Sequence, residues 1–176
     1  MLNILAISGS LRAASTNSAL VAALARDAPP GCRVTVYDRL GSLPIFNPDD
    51  EGDRTPLEAS ELIDAVTSAD GVIISCPEYA HGVPGGLKNA LDWLVSRDAA
   101  VEKPAMLVHA SSRSLFARAA LSEIIRTMSF ALYDGGLEIA LLGKKPPEVE
   151  NILAEPEKRL ALRDTISAFA DFIRSR

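Results

Sequence analysis

Residues 8–17, SGSLRAASTN, follow directly on the apolar run MLNILAI and hold three serines, a threonine, an asparagine and one arginine. A turn that merely leaves a buried strand needs little more than a glycine and an aspartate. This one gathers the hydroxyls of Ser8, Ser10, Ser15 and Thr16, the free N–H groups of a helix start and the guanidinium of Arg12. Helix N-termini attract anions through their unpaired donors and the macrodipole. An arginine fork adds a bidentate charged contact suited to phosphate. The sharper reading is therefore a phosphate cradle; the plainer one is a polar connection capped by Asn17. Two nucleotide fingerprints are missing: there is no GxGxxG, and GVPGGLKN around Lys88 lacks the glycine-to-lysine spacing of a P-loop.

Two further stretches carry groups suited to a bound ring. In CPEYAHGV (76–83), Tyr79 offers a flat aromatic face, and the peptide groups around Pro77 and Glu78 can hydrogen-bond a planar heterocycle. A rigid turn accounts for the same residues. In ASSRS (110–114), Ser111 and Arg113 bring a hydroxyl and a second guanidinium, which can serve an anion or stand solvated at a helix end. Cys76 reads as a redox thiol or as a small buried hydrophobe. His81 orders its loop or touches substrate, and His109 reads as a hydrogen-bonded residue ending a buried strand. Lys88 and Asp92, at i and i+4, read as an exposed helix pair.

The elements that must position these loops alternate between strand and helix. Leu2–Ile7, Cys32–Tyr37, Gly71–Ser75 and Ala105–His109 read as strands, and a fifth lies within 131–142, where Gly135 and Gly136 blur its limits. Helices are expected over Ser18–Ala28 and from Pro56 to about Ser68, with Leu57, Ile63 and Val66 inward. Pro84 opens a third, whose Leu87, Leu91 and Leu94 form one stripe. Ser114 caps a fourth that ends near Met128, and Leu162, Ile166, Phe169 and Ile173 mark a last one. Trp93 and Leu94 suit either the core or a partner subunit. The alternation predicts an α/β fold with a parallel sheet covered on both faces. Ligands then bind beyond the carboxyl ends of the strands, at the loops after strands one, three and four. The loop over 38–55 is long enough to suggest a functional role.

Bulk properties narrow the classes. The 176 residues are 48% hydrophobic and 23% charged, with a net charge of −5, and suit a single domain over 1–176. No basic run favours nucleic acid. Two cysteines without CxxC or Cys/His spacing suggest neither a disulfide framework nor a metal site. The apolar N-terminus is too short for a membrane span and lacks a basic n-region. A cytoplasmic protein without nucleic-acid or membrane partners is the expectation.

GSLRAASTN together with PEYAHGVPGGLKNALDWL resembles the NADPH-dependent FMN reductase family, whose patterns are GSLRxxSxN and PEYNxxxPGxLKNAxDWxS, and LPIFNPDDE is similar to its LPxFNxD loop. The resemblance implies a flavodoxin-like three-layer α/β/α fold with a five-stranded parallel sheet of order 2-1-3-4-5. It implies FMN as cofactor and NADPH or NADH as co-substrate. Ser10, Arg12, Ser15 and Asn17 match the phosphate-holding positions, and Pro77, Glu78 and Tyr79 match the segment along the isoalloxazine ring. Ser111 and Arg113 fall in the loop that approaches the ring's pyrimidine edge, where Arg113 would bring positive charge near N1 and O2 or bind the phosphate of the nicotinamide nucleotide. No catalytic side chain is expected, because the chemistry lies on flavin N5. The implied activity is ping-pong transfer from NAD(P)H through FMN to a quinone-like small acceptor, in a homodimer or homotetramer. The middle loop would lie near the flavin or the subunit interface. Two departures stand out: Ala80 replaces the family's asparagine, and ASSRSLFARAAL lacks the glycines many members carry there. An FMN-binding module with little turnover and a flavodoxin-type electron carrier are the alternatives.

Overall fold

The computed structural model describes residues 1–95 and 98–176. Strands β1 (Leu2–Ser8), β2 (Cys32–Tyr37), β3 (Gly71–Ser75), β4 (Pro104–His109) and β5 (Ala131–Glu138) form one parallel sheet in the order β2-β1-β3-β4-β5. This is the flavodoxin-like order, with its switch point between the adjacent strands β1 and β3. Helices α1 (Thr16–Arg26), α2 (Leu57–Ser68), α3 (Gly85–Val95), α4 (Leu115–Thr127), α5 (Pro146–Ala154) and α6 (Pro156–Arg174) cover its two faces.

The central strands are apolar throughout because both of their faces are buried. Successive residues of a strand point to opposite sides. Leu5, Ile7, Val72 and Ile74 therefore pack with Leu62, Val66, Leu87, Leu91, Leu94 and Leu121 on the face of α2, α3 and α4. Ile4, Ala6 and Ile73 pack with Leu20, Leu24, Leu153, Leu162, Ile166 and Phe169 on the face of α1, α5 and α6. The expected stripes on α3 and α6 are buried as read, except that Ile173 is only half-buried.

Three expectations need correction. Leu57 is exposed; the first turn of α2 turns Ala59 inward instead, with Leu62 and Val66 below it. Asn17 does not cap α1. The cap is Ser15, whose Oγ accepts from the Ser18 N–H at 3.2 Å, and Asn17 sits inside the first turn. Helix α5 lies in a stretch for which the sequence analysis gives no element: Pro146 and Pro147 occupy its first turn, where the missing N–H groups cost nothing. Pairing of β4 with β5 shifts register between Met106 and Val108, so that β5 bulges. A Cβ on Gly136 would lie 2.5 Å from the Leu107 carbonyl oxygen, and only glycine fits.

The middle loop is made of three short 3₁₀ turns, Leu40–Ser42, Pro48–Asp50 and Gly52–Arg54. It is pinned to α3. The Pro44 carbonyl accepts from Asn89 Nδ2 and Trp93 Nε1, both at 2.9 Å, and the Phe46 N–H donates to Asn89 Oδ1 at 2.8 Å. Phe46 meets Trp93 edge-on at 5.0 Å. Trp93 and Leu94 are fully buried in the core of this chain.

Candidate functional site

Strands β1, β3 and β4 end at one edge of the sheet, and Ser8 is in register with Ser75. The loops that follow them enclose a cavity of about 580 Å³, within the range of small-molecule sites. All nine residues singled out from the sequence line it: Ser10, Arg12, Ser15, Asn17, Pro77, Glu78, Tyr79, Ser111 and Arg113. Thr16, Ser114 and the segment Leu142, Gly143 and Lys144 line it as well. That segment comes from the loop after β5, which the sequence reading left out because the glycines of β5 hid where the strand ends.

The first loop is held from below by its own hydroxyls. Ser8 Oγ accepts from the Ser10 N–H at 3.3 Å and lies 2.9 Å from Ser18 Oγ, while the Gly9 N–H donates to the Ser75 carbonyl at 2.8 Å. Ser10 Oγ accepts from the Arg12 N–H at 3.4 Å and stands 3.4 Å from the Tyr79 hydroxyl, so the first and third loops touch across the cavity. Asn17 is buried, and its Oδ1 accepts from Ser75 Oγ at 2.9 Å. It locks the first turn of α1 to the end of β3, with one side of its amide already engaged. The Arg12 and Arg113 guanidinium groups have no hydrogen-bond or ion-pair partner among the described residues.

The third loop folds as a tight hairpin turn. Tyr79 and Gly82 exchange backbone hydrogen bonds of 3.1 and 2.9 Å, with Ala80 and His81 at φ +49° and +60° between them. His81 stacks on Phe116 at 4.3 Å, which resolves it as a residue that orders the loop. Glu78 lines the cavity and also reaches α4. Its Oε2 accepts from the Ala117 N–H at 2.9 Å, so it satisfies a free donor in the first turn of α4. Ser114, the residue expected to cap α4, occupies the cap position but makes no side-chain bond there.

The fourth loop is closed by the Arg113 N–H donating to Ser111 Oγ at 3.0 Å, and Arg118 reaches back to the Ser111 carbonyl while holding Glu138 at 2.6 Å. His109 departs from expectation: its Nδ1 is buried without a hydrogen-bond partner. Burial, reinforced by Arg118, pushes its pKa down to about 4 despite Glu138, and a neutral ring tolerates that setting. Burial, with Glu78 adding, pushes the Cys76 thiol up to about 12. A thiol that stays protonated is no nucleophile, and Cys76 behaves as core. Lys88 and Asp92 form the expected ion pair on α3. Among the described residues no cluster of His, Cys, Asp and Glu is arranged to hold a metal, and no helix is long and apolar enough to cross a membrane.

The sheet order defines a flavodoxin-like α/β protein, with a cavity lined by hydroxyls, two guanidinium groups and an aromatic side chain at the carboxyl ends of its strands. The chain belongs to the NADPH-dependent FMN reductase family, whose pattern matches residues 2–135. It is 37% identical over 115 residues to the NADH:(hydroxy)cinnamate reductase subunit CrdA of Vibrio ruber, covering 65% of this chain and 56% of that protein. It is 38% identical over 96 residues to a quinone reductase of Escherichia coli, covering 53% of this chain and 50% of that enzyme. The match thus spans about half the length of these relatives. Among solved structures, the flavoenzyme NAD(P)H:(acceptor) oxidoreductase FerB of Paracoccus denitrificans superposes with a TM-score of 0.80 over 99% of this chain and 98% of that one, at 23% identity, and shares the fold.

Proposed function

We propose that this protein binds FMN and uses it to pass reducing equivalents from NADPH or NADH to quinone-like small acceptors. The observation that carries the reading is the lining of one cavity by two complementary sets of groups. The first loop and the start of α1 give it Ser10, Ser15, Thr16 and the partnerless Arg12, and the third loop gives it Pro77 and Tyr79. This donor set fits FMN. The first set offers donors and positive charge to a phosphate dianion, and among the described residues the one carboxylate lining the cavity, Glu78, is engaged with the Ala117 N–H.

When bound, FMN supplies a centre that accepts two electrons and donates them again, chemistry that no side chain of this chain provides. The residues bind and orient. Ser10, Ser15 and Arg12 take the phosphate, while Asn17 keeps the first turn of α1 fixed to β3. The peptide groups of Pro77 and Glu78, with Tyr79, lie along the ring. Arg113 would bring positive charge to the pyrimidine side of the ring. NAD(P)H and the oxidised acceptor would use the site in turn, a ping-pong order. Net, NAD(P)H, a quinone and one proton become NAD(P)⁺ and a quinol. The reading includes self-association as a dimer or tetramer, supported by exposed Ile45, Val95 and Leu115, and a cytoplasmic setting that supplies the nicotinamide nucleotide.

The test is spectroscopic. The protein should bind FMN well above riboflavin, anaerobic NADPH or NADH should bleach the flavin bands, and a quinone should restore them, with parallel initial-rate lines in steady state. Flavin bands that neither nucleotide bleaches would leave a binding module or a carrier that needs its own reductase.

A further inference from the structure

The loop after β5 brings a lysine to the wall of the cavity. Beyond β4 and β5 the two chains continue side by side, with Ile139 N–H donating to the His109 carbonyl at 2.9 Å and Leu141 N–H to that of Ala110 at 3.1 Å. A turn then follows. The Lys144 N–H donates back to Leu141 O at 3.1 Å, with Gly143 at φ +80°, the left-handed position a type II turn requires. This turn places Lys144 on the wall of the main cavity and on that of an adjoining groove lined by Ala14, Ser15 and Thr16. Lys144 therefore borders the start of α1, whereas Arg113 belongs to the loop after β4.

We infer that Lys144 is a second cationic ligand of the FMN phosphate, closing on it from the last loop while Arg12 holds it from the first. The inference rests on the FMN reading above. A phosphate monoester carries close to two negative charges at neutral pH, and Arg12 supplies one positive charge from the first loop. The Lys144 ammonium is held only loosely. Among the described residues it forms a partly exposed i, i+4 ion pair with Glu148, at 3.7 Å to Oε1, longer than a hydrogen bond. The other oxygen of Glu148 accepts from the Lys145 N–H at 3.0 Å, which keeps that carboxylate at the start of α5. That backbone bond, before the lesser effect of Lys144, holds the Glu148 carboxyl below its ordinary value. Glu148 is thus an anion that competes with the phosphate for Lys144.

Equilibrium titration of the whole, flavin-free chain with FMN and with riboflavin tests this on wild type, Lys144→Ala, Lys144→Arg and Glu148→Gln. Lys144→Ala should weaken FMN about three- to tenfold, as for a charged contact discounted for exposure. It should leave riboflavin and the melting temperature unchanged. Lys144→Arg should restore FMN affinity. Glu148→Gln keeps the acceptor for Lys145 N–H but removes the competing charge, and should tighten FMN. A wild type that prefers FMN alongside an unaltered Lys144→Ala overturns the role of Lys144 alone. Equal loss of FMN and riboflavin would make the lysine a loop support, also against the inference. A wild type that does not distinguish the two flavins removes the phosphate site itself, and with it the reading on which this rests.

Discussion

Ala80 and His81 sit side by side in the left-handed region, where a Cβ crowds the following carbonyl and each L-residue costs roughly 1–2 kcal/mol. Their turn is closed by two backbone hydrogen bonds, and His81 recovers part of that cost through its stack on Phe116. Ala80 has no such compensation. The family pattern places an asparagine there, a residue that tolerates this geometry through local hydrogen bonding. Ala80→Asn should therefore stabilise the protein by about 0.5–1 kcal/mol and raise Tm by roughly 1–3 °C. Thermal melts of the two proteins decide it, and a lowered Tm would mean that the turn is not strained at this residue. At this scale, Arg12, Ser10 and Ser15 were legible in the sequence because hydroxyls and a guanidinium at a strand end have a specific use. Lys144 was not, since the blurred limits of β5 left the loop after it without a reading.

Glu78 links two elements that the sequence presents as separate loops. The first turn of α4 lacks a side-chain cap from Ser114, and the carboxylate of Glu78 arrives from 39 residues away to accept from Ala117 N–H. An anion at a helix N-terminus also meets the positive end of the macrodipole. Glu78→Ala should cost about 1–2 kcal/mol, in the range of a lost N-cap, and Glu78→Gln less, because an acceptor remains. The amides of the first turn of α4 should lose hydrogen-exchange protection in the alanine variant. FMN should then bind more weakly through loosened Ser111 and Arg113. Unchanged protection in that turn would refute the capping role. This contact explains how the protein does without glycines after β4. The loop is fixed by Glu78, by the Ser111 turn and by the His81–Phe116 stack. None of these has a sequence signature, since each joins residues distant in the chain. Strands and helices with a strong period were read with limits close to those observed. The errors fell at Asn17, Leu57 and α5, where a nearby serine, a nearby alanine or a proline pair served instead, and at Ser114 and His109, whose expected hydrogen bonds are absent among the described residues.

On the scale of the whole molecule, the layer of α1, α5 and α6 is joined at one buried carboxylate. Asp27 ends α1 with its side chain fully removed from solvent. Its Oδ2 accepts from Arg26 at 2.6 Å and its Oδ1 from Arg159 of α6 at 2.7 Å, while Arg26 also donates to the Leu153 carbonyl of α5 at 2.8 Å. Burial alone would raise the Asp27 pKa, but the hydrogen bonds and charges of the two arginines outweigh it and hold the carboxyl below its ordinary 3.8. The sign follows from linkage. A carboxyl more acidic in the folded than in the unfolded chain adds stability above the unfolded value, and that stability is lost as pH falls through the folded one. Asp27→Asn should cost about 1–3 kcal/mol at pH 7, as for a buried hydrogen-bonded charge. The half-exposed guanidinium groups can turn to water and keep the loss from growing larger. Below about pH 4 the wild type should surrender this advantage while the asparagine variant does not, so the two stability curves should converge. Urea unfolding of both proteins from pH 7 down to about pH 2.5 measures the difference at each step. Curves that stay parallel throughout would show that Asp27 does not link acid stability to the packing of these three helices.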